Sequence, residues 1–149
     1  MKQKTVFMLK VTTIVASIIV SSLSIAGVYF LANNSINPEY SNMLYPILTG
    51  LYISLIPFFI GLFKCFRFLS NFNNHETFET VFNDLKTIKY CSISIVIIYL
   101  MMMPFIFILA DKDDAPGAIL IGMIPIVISI IIVFIITFHQ NKMKKKHVY

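Results

Sequence analysis

Charge is what this sequence lacks most. Only 13% of its 149 residues are Asp, Glu, Lys or Arg, about half the share of an ordinary soluble domain, and 58% are hydrophobic. None of the charges falls in residues 11–38, 40–63, 90–110 or 115–141. Each stretch holds the roughly 18–20 apolar residues that cross a hydrocarbon core about 30 Å thick. That excludes a soluble fold. At such depth no water satisfies backbone N–H and C=O groups, so four runs of this kind demand helices. The fold class expected is all-α, a polytopic membrane protein with four transmembrane helices in one domain over residues 1–149. The spans are placed near Val11–Ala32, Tyr45–Phe63, Tyr90–Leu109 and Ile119–Phe138.

Chemistry is missing too. No Asp, Glu, Lys or Arg lies inside a span, and His139 stands at a helix end. Pumps and ion-coupled carriers need ionisable groups at depth, which argues against an energised transporter. There is no Gly-rich phosphate loop and no HExxH motif. His75 and the Asp residues at 111, 113 and 114 fall in loops on opposite faces of the membrane, so no Ser, His and acid set can assemble. No catalytic residue, cofactor or metal is expected, and the chain reads as a non-enzyme. Cys65 and Cys91 both fall at span ends on the reducing side, where they are expected as free thiols. With His75 between them they still lack the ligand-pair spacing of a zinc site.

The charges that are present set the topology. Lys2, Lys4 and Lys10 precede the first span; Lys64, Arg67, Lys86 and Lys89 occupy the second loop; Lys142, Lys144, Lys145 and Lys146 form the tail. With both termini cytoplasmic, eleven of the twelve basic residues lie inside, the bias that orients membrane proteins. The basic balance thus reports topology and attraction to anionic headgroups, with no direct nucleic-acid contact. The N-terminal segment resembles a cleavable signal peptide, but its apolar run continues through Leu31, long enough to span, and retention is expected.

Within the spans, small and hydroxyl residues recur at steps of three and four, which places them on one helix face. Thr13, Ser17, Ser21 and Ser24 do so in the first helix, and Pro46, Gly50, Ser54, Pro57 and Gly61 in the second. Ala118, Gly122, Pro125 and Ser129 repeat the pattern in the fourth. In lipid, association depends on close approach and interhelical hydrogen bonds, which such stripes permit. They imply either a tightly packed bundle or a polar groove between helices bent at Pro57 and Pro125. The third helix is large, aliphatic and aromatic between Ile95 and Phe107, and is expected to face lipid most.

The second loop is the largest part outside the membrane. Asn71, Asn73 and Asn74 mark a turn. Beyond it Phe78, Val81, Phe82 and Leu85 form an amphipathic stripe that runs into the third span without a breaker. With the second span extended to about Leu69, a cytoplasmic helical hairpin is expected. Its stripe either rests in the headgroup region or docks a soluble partner, with Lys64, Arg67, Lys86 and Lys89 as a basic margin.

Between the last two spans lies "DKDDAPG". Pro116 suits a first helical turn. Asp113 is expected to accept from the Ala115 N–H, and Asp114 to cap the fourth helix through the Gly117 N–H. Three Asp supply too few oxygens for a hard cation unless other groups contribute.

Taken in order, "YPILTGLYISLIPFFIGLFKCFRFL", "ETFETVFNDLKTIKYCSISIV" and "DDAPGAILIGMIPIVISIIIVF" resemble the bacterial membrane-protein family catalogued as domain of unknown function 2975. The resemblance implies a four-helix inner-membrane protein, often encoded beside a small Cro/CI-like helix-turn-helix regulator, with no established activity. Three functions stay open. The chain is a membrane anchor or sensor for such a regulator; or an envelope-protection or immunity-type protein binding a lipid, peptide or amphiphile between its helices; or a small passive transporter. A homo-oligomer is compatible with each.

Overall fold

A computed structural model describes residues 3–33, 38–71 and 77–147. They form four helices: α1 (Gln3–Asn33), α2 (Pro38–Asn71), α3 (Phe78–Lys112) and α4 (Pro116–His147). All four are long and apolar enough to cross a membrane. At 1.5 Å per residue, 31 to 35 residues extend about 47–53 Å, so each overshoots the hydrocarbon core. The overshoot is visible in the sequence as continuity: α2 runs past Lys64 to Asn71, and α3 begins at Phe78. The turn expected at Asn73 and Asn74 lies outside the described residues. Pro57 and Pro125 sit inside unbroken helices, as do Pro46 and Pro104.

The helices do not all meet. Helix α3 packs against both α2 and α4, while the backbone of α1 closely approaches that of α2 alone. Among the described residues the α1 and α4 backbones do not come within 8 Å of each other, Cα to Cα. The third helix is therefore the hub, which corrects the expectation that it faces lipid most. Met102, Ile106 and Ala110 of α3 are buried, as are Asp84, Leu85 and Ser92 nearer its start. In α1 Val6 is buried, and Phe7, Ile18, Leu23 and Tyr29 are well exposed. Lipid and helix surfaces are equally apolar, so hydrophobicity cannot tell which of them a side chain meets.

Shape tells it instead. Met102, only 4% exposed, lies over Gly50, where an added Cβ would overlap its Sδ and Cγ. Ile106 lies over Gly122 in the same way, 3.0 Å from where a Cβ would stand. Two glycines on the outer helices thus accept two large side chains of the central one. The hydroxyls expected to bond between helices mostly do not. Thr13, Ser21 and Ser24 donate to the carbonyls of Leu9, Ser17 and Val20, four residues back in their own helix. One hydroxyl that does cross between helices is that of Tyr52, which donates to the Ser24 carbonyl at 3.2 Å.

The outer turn also differs from expectation. Asp113 caps the end of α3, its N–H donating to the Leu109 carbonyl. The Ala115 N–H goes to the Ala110 carbonyl at 3.0 Å rather than to Asp113, whose carboxylate accepts from Tyr40 instead. Asp114 adopts φ 50°, the left-handed conformation a short polar side chain tolerates, and its expected bond to the Gly117 N–H does not form among the described residues. Helix α4 opens at Pro116, as expected, with the Ala118 N–H on the Ala115 carbonyl. A reversal this tight needs the left-handed residue more than it needs a side-chain cap.

Gly50→Leu should cost about 1–3 kcal/mol, because Met102 has no free space to retreat into. Met102→Ala added to that variant should recover most of the loss. Unfolding followed by circular dichroism in mixed micelles checks both.

Candidate functional site

Because α1 stands off α4, the helices curl around a space rather than closing on one another. A cavity of about 820 Å³ lies between all four, within the usual range for small-molecule sites. Its walls are almost entirely apolar. On α2 it extends from Leu48 to Leu69, which at 1.5 Å per residue is about 31 Å.

The small-residue stripes divide between two tasks. Gly50 and Gly122 serve packing, as described. Ser54, Pro57 and Gly61 of α2 line the cavity, with Thr13 and Ser24 of α1 and Pro125 and Ser129 of α4. Ser17 lines a second, smaller hollow between α1 and α2, and Ser21 is held by its bond to Ser17. Helix α3 contributes what the sequence did not flag: Ser92, Ile95 and Tyr99. Ser92 and Ser129 are buried residues of this lining, and neither hydroxyl is seen in a hydrogen bond among the described residues. Cys65 and Cys91 are free thiols in the same wall. Among the described residues no group of three His, Cys, Asp or Glu comes together as a metal site.

At the end of the bundle that carries both termini, an ion pair stands beside the cavity. Asp84 is 4% exposed and accepts from Lys64 Nζ at 2.9 Å, with Arg67 Nε at 3.9 Å. The pair ties the end of α2 to the start of α3, directly beside Leu85, a cavity residue. Sequence reasoning missed Asp84 because it was read as one more loop charge. The available signal was its position within the apolar stripe, between Phe82 and Leu85, opposite Lys64 in an antiparallel hairpin. Lys64 is thus engaged with Asp84, while Arg67 faces the same carboxylate from an exposed position.

The expected docking stripe is likewise divided. Leu85 is buried and faces the cavity, which removes it from any outer surface. Phe78 and Phe82 stack at 5.8 Å, both half-buried, and Lys144 of α4 lies over the Phe82 ring at 5.5 Å. Val81 is half-buried, Lys86 exposed and Lys89 partly exposed. The amphipathic face exists, but much of it is turned toward the chain's own helices.

These observations define a class: a multi-pass membrane protein whose four helices surround an apolar cavity with hydroxyls in its wall. The chain belongs to a bacterial family described as protein of unknown function (DUF2975), whose model matches residues 28–145. It is similar to the uncharacterized membrane protein YoaS of Bacillus subtilis (strain 168). The two are 33% identical over 147 residues, covering 97% of this chain and 91% of that protein. No solved structure matches it.

Removing one partner from a buried pair leaves a charge stranded. Lys64→Met should therefore destabilise the protein by about 2–3 kcal/mol, the low side of the usual range because the Lys64 side chain keeps 26% exposure. Lys64→Met combined with Asp84→Leu should be more stable than Lys64→Met alone. Denaturant titration of the four-member mutant cycle measures this.

Proposed function

We propose that this is a non-catalytic membrane protein that holds an apolar or amphiphilic molecule between its helices, serving envelope protection or sensing. The observation that supports this reading is the cavity. It is long, nearly all apolar and bounded by all four helices, and the α1 and α4 backbones stand apart along one side of it. A ligand dissolved in the bilayer can enter through that gap without crossing water. The two unengaged serine hydroxyls offer polar contacts to a molecule that is not purely hydrocarbon. An apolar wall of this kind suits a hydrated solute poorly, which disfavours a passive channel for polar molecules.

A ligand that binds the folded state raises its stability in proportion to occupancy. In detergent, oleoyl lysophosphatidylcholine should raise the thermal midpoint saturably, by about 4 °C or more, if it reaches 30-fold over Kd, worth about 2 kcal/mol. Ser129→Phe, which fills the wall, should abolish the shift. No shift in the parent, or the same shift in both, contradicts the reading.

A second reading, a cytoplasmic-face anchor for a small helix-turn-helix regulator, is favoured by the stacked Phe78–Phe82 pair beside exposed Lys86. On that reading Phe78→Glu with Phe82→Glu releases the regulator in a pull-down while the helical content is unchanged. Retention by this variant would remove the docking surface.

A further inference from the structure

Resting on the cavity reading, we infer that the occupant is an anionic phospholipid, with one acyl chain lying in the cavity and its headgroup held among the lysines at the end that carries the termini.

The chain end of the argument is dimensional. An apolar slot about 31 Å long runs the depth of the hydrocarbon core, so what lies along it is hydrocarbon. A tail lying there leaves the rest of the lipid in the bilayer on the side where the α1 and α4 backbones stand apart.

The headgroup end is argued from charge. The cavity lining runs to Leu9, Leu69, Leu85 and Ile88, at the level where Lys10, Lys64 and Lys89 begin. Among the described residues, ten Lys and Arg fall at this end against two acids, Glu79 and Asp84. Asp84 is committed to Lys64 and Arg67. The remaining cations have no carboxylate partner among the described residues, and two of them lean on rings instead: Lys10 over Phe66 at 5.7 Å and Lys144 over Phe82 at 5.5 Å. Those two stand on α1 and α4, the helices that flank the gap. The opposite end has Glu39, Asp111, Asp113 and Asp114 with Lys112 alone, and would repel the same headgroup. Ser92 lies one turn further into the membrane than Lys89, with its hydroxyl unengaged, at the depth of an acyl ester oxygen.

The test is native mass spectrometry of the full-length protein equilibrated with equal amounts of dioleoyl phosphatidylglycerol and dioleoyl phosphatidylcholine. The parent should retain one lipid, favouring phosphatidylglycerol at least about fivefold, the size expected for one lysine near an anionic group. The triple variant Lys10→Gln, Lys89→Gln and Lys144→Gln should retain both lipids about equally. Ser129→Phe should retain neither, and Ile132→Trp, from a larger residue of the same wall, provides a second block should the first fold poorly. Equal retention by the parent, with loss in the blocked variants, overturns the headgroup assignment and leaves the cavity reading intact. No retention by the parent overturns both. A phosphatidylglycerol preference that survives either blocked variant, or survives the triple variant, also overturns the assignment, because the lipid would then be held elsewhere.

Discussion

Inside a bilayer an apolar helix gains little by exchanging lipid for another apolar helix. Contact between spans must therefore come from fit or from charge, and this structure has a small number of each. Met102 against Gly50 and Ile106 against Gly122 supply the fit that seats α3 between α2 and α4. The Lys64–Asp84 pair fixes α2 to α3 at the charged end. Among the described residues helix α1 shows no equivalent on α3 or α4, and Thr13, Ser21 and Ser24 bond back into its own turns. Its tie is to α2, through Tyr52 on the Ser24 carbonyl among other contacts. The open side of the bundle is the direct result.

The cavity then follows from the same scarcity. A bundle whose stripes were all knitted together by interhelical hydrogen bonds would have no interior. Here the serines and glycines are too small to fill the space they face. Lipid is the solvent around the spans, so on the proposed reading the space takes its occupant from the bilayer, and the lysine-rich end orients it.

How much of this could be read from residues alone depends on which force decides each feature. The four spans were legible because segregation of charge reports directly on the absence of water, and the continuous α3 because nothing between Phe78 and Tyr90 breaks a helix. Pro116 as a helix start followed from its missing N–H. The packing order was not legible. Met102 and Phe107 look alike to a hydropathy scale, and only the glycine opposite makes one of them a core residue. Asp84 was hidden for a related reason: a carboxylate 20 residues beyond Lys64 in a basic loop looks solvated until an antiparallel partner brings Lys64 to it. Of the stripe residues, the sequence selected the right face on α2 and α4 but could not separate Gly50 and Gly122, which pack, from Ser54 and Ser129, which line the cavity.

The central claim is that α1 and α4 stand apart around a space occupied from the bilayer. An experimental density map of the protein in nanodiscs of its native lipids tests it most directly. The account predicts a single elongated, unbranched density bounded by Tyr52, Tyr99 and Ser129 and continuing outward between α1 and α4. Helices α1 and α4 in direct contact, with the interior filled by their own side chains, would contradict it.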